Sequence, residues 1–281
     1  MEKEIATKNW LYLRKKEEQI LQLKKYQSRR VATVCVSRLR DLPVLDRDTV
    51  GDELRAIFSP KIPTGIPAAE LCREIALQMP ELTPAAFFPG DGDESEKTIV
   101  SYLKNAHSAQ ALRALSARMP NAEAMTATSS GRCCEDVSSG GATACILPLC
   151  TGKDGILTSF CALVEQHELL LQAITRVEIP GTEDYTLFGL LKRHLDCPPH
   201  PDYFVFAIHE DLLTDSGEIL SAVKLLGGTP IRFGTVPVGK ESSSFLYLFV
   251  LNVSHGNLTA ILLYLELCAR SYLPFGVFCL E

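Results

Sequence analysis

The strongest constraint on the fold lies in the last eighty or so residues. Tyr203–His209 reads as a strand, and Ser216–Leu226 as a helix stopped by Gly227-Gly228. Thr229–Val236 and Phe245–Val253 read as strands, the second rich in Phe, Leu, Tyr and Val. Asn257–Arg270 reads as an apolar helix with Asn257 at its N-cap, and Pro274–Leu280 as a closing strand. The order β-α-β-β-α-β is the split βαβ, ferredoxin-like pattern. A unit of this kind and size is expected to sense a small metabolite.

Two further segments precede it. Residues 5–41 contain no Gly or Pro, so one long helix is expected there. Its apolar stripe is read as Trp10, Leu13, Ile20, Leu21, Leu23, Val31, Val34 and Val36. Pro43 and Asp46 mark a turn, and helices follow over Asp48–Phe58 and Ala68–Met79. Pro84, Pro89-Gly90 and the acidic run 91–97 read as a linker.

Strands and helices then alternate. Thr98–Leu103, Ala122–Thr126, Ala142–Leu147 (stopped by Pro148) and Leu169–Ile179 suit strands. Ala109–Met119, Ser130–Val137 and Ile156–His167 suit helices. Such alternation predicts an α/β lobe with parallel strands. The expected fold class is therefore α+β multidomain: an all-α segment over 1–85, a linker over 86–97, an α/β lobe over 98–198 and a ferredoxin-like unit over 199–281.

Composition narrows the function classes. No apolar run approaches the roughly 18–20 residues needed to span a bilayer, so no membrane partner is expected. The first residues, Met1-Glu2-Lys3-Glu4, open no apolar core, which points to a cytoplasmic protein. Residues 1–41 hold eleven Lys/Arg against five Asp/Glu, although the whole chain is at −6. These basic residues are interleaved with acids and match no nucleic-acid-reading motif, so nucleic acid is not an expected partner.

The ten cysteines form no Cys-x-x-Cys pair and sit mostly in apolar runs, which reads as buried thiols. The sharper alternatives are zinc held by Cys133, Cys134 and a histidine, or by His194, His200 and His209 around Cys197. Neither has diagnostic spacing, and no metal or cofactor is expected. Gly-x-Ser-x-Gly and phosphate-binding glycine loops are absent from the sequence.

The three-part order, with several local motifs, resembles the bifunctional chorismate mutase–prephenate dehydratase family. Leu13-Arg14-Lys15-Lys16 looks like the mutase opening Leu-Arg-x-x-Ile, and Pro43-Val44-Leu45-Asp46 like its Pro-Val-x-Asp turn. The resemblance implies substrate contacts from Arg14, Arg29 and Arg38, with Asp46 in the turn. Forked guanidinium donors suit a dicarboxylate, and the rearrangement needs only conformer selection and charge stabilisation. Thr49-Val50 stands where the family has Arg-Glu.

Asp136–Ile156 is similar to the first dehydratase lobe, keeping its strand, its proline and its closing glycine. The family's Glu-Asn pair is replaced by Leu149-Cys150-Thr151. Ser108 stands as a relic of the loop after the first strand. The resemblance thus implies substrate contacts at Ser108, Thr151 and Gly155. Glu183-Asp184-Tyr185-Thr186-Leu187-Phe188 looks like the Asn-(Tyr/Phe)-Thr-Arg-Phe motif, with Thr186 matching the catalytic threonine and Leu187 replacing the arginine. The family dehydratase has two lobes around its substrate, whereas only about one fits before residue 203.

The last unit resembles an ACT domain, with Gly217 and Pro237 retained at the effector-binding positions. The resemblance implies conversion of chorismate to prephenate and of prephenate to phenylpyruvate, in phenylalanine biosynthesis, on a degraded catalytic set. The other reading is a non-catalytic descendant that binds an amino acid or mediates assembly. Expected partners are a small-molecule substrate or an amino-acid effector such as phenylalanine, and a second copy in a homodimer.

Overall fold

The structure is a computed structural model; it describes residues 2–88, 98–116, 119, 121–151, 155–156, 158–179, 181, 184–209, 216–238, 244–269 and 271–279. Most of the expected linker, 89–97, lies outside the described residues. The chain opens with helices α1 (Glu2–Arg40), α2 (Arg47–Phe58) and α3 (Gly65–Gln78), then a 3-10 turn over Pro84–Phe87. Next come β1 (Ile99–Leu103), α4 (Ala106–Leu115), β2 (Glu123–Ala127), α5 (Ser130–Ser138), β3 (Ala144–Thr151) and β4 (Gly155–Ile156). They lead to α6 (Thr158–His167), β5 (Leu170–Glu178) and β6 (Tyr185–Lys192). The last unit is β7 (Tyr203–His209), α7 (Ser216–Leu225), β8 (Thr229–Val238), β9 (Ser244–Asn252), α8 (Leu258–Cys268) and β10 (Leu273–Phe278). The fold is thus mixed α+β, with N-terminal helices and a central sheet.

One sheet runs through the α/β lobe and the last unit, in the order β2-β1-β3-β6-β5-β10-β7-β9-β8, with β4 paired to β3. Strands β1, β2 and β3 are parallel, as the alternation predicts. Strand β6 is antiparallel to both β3 and β5, which departs from the all-parallel expectation. The reason is chain length: β5 returns as β6 through a short turn closed by Ile179 N–H donating to Asp184 O, 3.0 Å. A connection that short permits only an antiparallel pair. Strand β3 also runs past Pro148 instead of stopping there. A register shift between Pro148 and Cys150 lets the ladder tolerate the missing N–H.

The seam between the two halves of the sheet is the parallel contact of Gly276 on β10 with Leu171 on β5. A Cβ at Gly276 would fall on the Leu171 carbonyl, so only glycine lets the strands approach there. Within the last unit the order β10-β7-β9-β8, all antiparallel, is the ferredoxin-like arrangement.

Helix α1 docks through a face that keeps Val36 of the expected stripe but not Leu13, Ile20, Leu23, Val31 or Val34. Ala32, Cys35, Val36 and Leu39 are buried, at helical spacing, while Leu13, Ile20, Leu23, Val31 and Val34 are exposed. The stripe contains the bulkier residues, but the buried positions are the ones that face α3. Helices α1–α3 do not form a core of their own. They share one cluster with α7, α8 and the Phe204, Phe206 and Phe249 face of the sheet. Phe206 and Phe249 stack there at 4.7 Å.

Helix α8 explains this arrangement. Every residue from Leu258 to Leu267 is buried, so the helix needs cover on all sides. The sheet covers one side, and α2, α3 and α7 pack on the others. Its one carboxylate, Glu266, is 2% exposed. Arg47 Nε donates to Glu266 Oε1 at 2.5 Å and Arg47 Nη2 to the Tyr272 carbonyl at 2.9 Å. The same guanidinium lies 4.2 Å over the Tyr272 ring. Arg55 Nη1 donates to the Glu266 carbonyl. Gly51 leaves room for the carboxylate, since a Cβ there would stand 3.0 Å from Glu266 Oε2.

Burial pushes the Glu266 carboxyl above its ordinary value, and Arg47 pulls it back. Replacing Arg47 with Met strands that carboxylate, and is expected to cost about 3–5 kcal/mol at neutral pH. Without Arg47 the folded-state pKa of Glu266 rises further. The folded chain then binds more protons than the unfolded one, so the loss shrinks as pH falls toward the ordinary value of 4.5. Urea denaturation of both proteins at pH 7 and pH 5 checks this. An equal loss at both would contradict it.

Candidate functional site

The residues that the sequence singles out fall in four places. Arg14, Arg29 and Arg38 lie along α1, each with its own acidic neighbour: Glu18 at 3.6 Å, Glu74 at 3.2 Å and Glu53 at 2.7 Å. All three guanidinium side chains are more than half exposed. At about 1.5 Å per residue, Arg14 and Arg38 are roughly 36 Å apart along the helix, so within one chain they do not converge. Asp46 caps α2: its Oδ1 accepts from Thr49 N and from Thr49 Oγ1, both at 2.8 Å. These bonds hold its carboxyl below the usual range. Thr49 therefore completes a capping box, and Val50 is buried beneath it.

The second place is the end of the α/β lobe where β1 and β3 finish. Thr186 is buried on β6, paired with Thr151 on β3 and Val177 on β5. Gly155 pairs with Thr151 through β4. By strand alternation Thr186 shares the face of Phe188 and Leu190, which form one cluster with Ala111 and Leu115 of α4. Ser108 sits in the first turn of α4, where its N–H donates to the capping Asn105 Oδ1 at 2.8 Å. Its hydroxyl is buried without a hydrogen-bond partner among the described residues. The third place is the end of the sheet at which β7 and β8 both finish. There Gly217 opens α7 and Pro237 lies exposed on β8 opposite Phe245.

The fourth place is the cysteine-rich core beneath α5. Ser101 Oγ donates to Asp136 Oδ2 at 2.9 Å, and Arg132 holds the other carboxylate oxygen at 3.0 Å. Cys133 lies against Ser101 with its thiol pushed up to about 11 by burial, and Cys134 shares a hydrogen bond with Cys145. All ten cysteines are free thiols, and no metal-holding cluster of His, Cys, Asp or Glu occurs among the described residues. Among those residues no helix is long and apolar enough to cross a membrane.

Two cavities stand beside these places. A cleft of about 540 Å³ lies between the α2 entry, the C-terminal end of α6 and β10, lined by Asp46, Phe88, Glu165, Glu168 and Phe275. Glu165 pairs there with His209 at 3.0 Å. A second cavity, of about 450 Å³, lies between the β5–β6 hairpin and the face of β7–β9 turned away from α8. Its walls are mostly apolar; among the described residues Thr175, Arg176, Tyr203 and Arg232 supply the polar groups, with the thiols of Cys150 and Cys161. Burial pushes the Cys150 thiol up, while Leu187 and the Arg232 charge pull it down. Neither arginine stands out in the sequence: Arg176 shares its strand with Glu178, and Arg232 is a single charge on a strand bearing no recognised motif. Glu266 and its partner Arg47 belong to no motif in the sequence, and only the fold brings them together.

No family model and no curated protein matches the sequence. Solved structures do match the fold. A prephenate dehydratase from Streptococcus mutans superposes with a TM-score of 0.52 at 18% identity, over 64% of this chain and 97% of that one. The prephenate dehydratase from Arthrobacter aurescens, in complex with L-Phe, gives 0.51 at 12%, over 65% and 90%. GqqA, described as a novel type of quorum quenching acylase, gives 0.51 at 15%, over 65% and 95%. At these identities the likeness defines a prephenate-dehydratase-like fold and leaves the activity open.

Ser108→Ala is expected to raise stability by about 1 kcal/mol, since it removes a buried unpaired hydroxyl and favours the helix. Denaturant midpoints measure this. A loss of similar size would show that the hydroxyl is satisfied.

Proposed function

We propose that this protein binds an amino acid on a prephenate-dehydratase-like scaffold and does not turn over chorismate or prephenate. The observation that carries this reading is the shared core of α1–α3 with α7 and α8. The segment that resembles a mutase serves here as the packing partner of the last unit. Arg14, Arg29 and Arg38 are spread over separate ion pairs, and Leu187 stands where the dehydratase pattern has its arginine. The cations that the resemblance singles out therefore do not converge within one chain to hold either dicarboxylate for reaction.

In this reading residues 199–281 form an ACT-like unit whose effector site includes Gly217 and Pro237, and the α/β lobe over 98–198 is a retained scaffold. Thr186, Ser108, Thr151 and Gly155 are then relics of a substrate site. Phenylalanine is the first effector to test, because the Arthrobacter aurescens dehydratase is complexed with L-Phe. The working unit is a homodimer.

Incubation with chorismate or prephenate is expected to give no loss above the spontaneous rate. Calorimetric titration with phenylalanine, tyrosine and tryptophan is expected to show saturable heat for at least one, weakened about tenfold or more by Gly217→Val. Turnover of either acid would overturn the non-catalytic part. Absence of heat with all three amino acids would overturn the binding part.

A further inference from the structure

We propose that the 450 Å³ cavity between the β5–β6 hairpin and the outer face of β7–β9 is a second ligand site, for a small organic carboxylate with an aryl or branched apolar body. It is separate from the amino-acid site proposed at α7. Val205 and Leu248 line the cavity, while their strand neighbours Phe204, Phe206 and Phe249 face the opposite way, toward α8. The sheet therefore stands between the two sites.

Size and lining define the body of the ligand. Apolar cavities of about 150 Å³ already hold benzene, so this one takes a ring with a short side chain. It also falls within the roughly 300–1,000 Å³ of ordinary ligand pockets. Its apolar walls come from both halves of the sheet: Leu171, Ile174 and Leu187 on one side, Val205, Leu248 and Val250 on the other. Small-molecule sites favour such junctions, where two units supply opposing walls.

Charge defines the head group. Among the described residues, Arg176 on β5 and Arg232 on β8 are the charged residues of the lining, and no Asp or Glu lines it. Arg232 makes no ion pair among the described residues. Arg176 lies over Tyr185 at 4.2 Å and reaches Glu178 at 3.5 Å, a pair in which both side chains are more than half exposed. Such a pair is weak and readily exchanged for a ligand carboxylate. A guanidinium binds a carboxylate through two parallel N–H···O bonds, which fixes both charge and orientation. The register shift between Pro230 and Arg232 brings Ile231 as well as Arg232 to the rim, an apolar and a charged contact together.

Calorimetry on the full chain with 3-phenylpropionate and its neutral amide, 3-phenylpropanamide, tests the site. The acid is expected to bind one per chain, about tenfold or more tighter than the amide. Arg232→Gln is expected to bring the acid down to the level of the amide and leave the amide unchanged. Arg232 is exposed, so this variant keeps its fold, as its circular dichroism would verify. Leu248→Trp, which fills the cavity, is expected to abolish binding of both. Gly217→Val is expected to leave the acid unaffected, which separates this site from the one at α7. Equal binding of acid and amide, no effect of Arg232→Gln, or no saturable binding of either probe would overturn the proposal.

Discussion

A helix buried on every face sets the terms for this fold. Helix α8 carries Leu258, Ile261, Leu262, Leu263, Leu265 and Leu267 inward and outward alike. Burial of six such side chains is worth on the order of 10 kcal/mol. The four-stranded sheet of the last unit can cover only one of the helix's sides. The N-terminal helices must cover another, and they do so through α2 and α3. Glu266 adds a directional condition to this apolar one. A carboxylate at 2% exposure needs a cation, and Arg47 at the entry of α2 supplies it across 219 residues of sequence. The ion pair thus fixes where α2 begins, and the capping box at Asp46 starts the helix one residue earlier.

The same constraint gives the N-terminal segment its role. A sequence that resembles a mutase would be expected to fold around its own substrate pocket. Its buried residues Ala32, Cys35, Val36 and Leu39 instead join α3, and through α3 the helices of the last unit. The arginines that the resemblance singles out are left on the solvent side, each with a different acidic neighbour. The α/β lobe is tied in from the other direction, by the close approach of Gly276 to Leu171. Helical cover and sheet seam together make one body out of three segments, and the 450 Å³ cavity lies beside that seam.

Much of the fold was legible in the sequence, because local signals and tertiary context agree there. Tyr203–His209 matches β7 residue for residue, and Asn257 caps α8 through a 2.9 Å bond from Ala260 N. The errors share one physical source, namely contacts distant in sequence. The face of α1 that is buried depends on α3, not on which residues are bulkiest. Pro148 stays within β3 because a register shift accommodates it. The single sheet depends on a glycine whose need is visible only once β5 is beside it. The cavity was illegible for the same reason. Arg176 and Arg232 are separated by 55 intervening residues and each looks like an ordinary solvated strand charge. Ser108 and Thr186 were singled out through motif likeness, which does not reveal that the Ser108 hydroxyl lacks a partner among the described residues.

The claim that most of this rests on is that α1–α3 and α8 form one cooperative unit, and native-state hydrogen exchange measures it directly. Amides of α3 (Gly65–Gln78) and of α8 (Leu258–Cys268) are expected to open with the same free energy, equal to that of global unfolding. Arg47→Met is expected to lower both together. Exchange of α3 through a separate, lower-energy opening that leaves α8 fully protected would contradict the account.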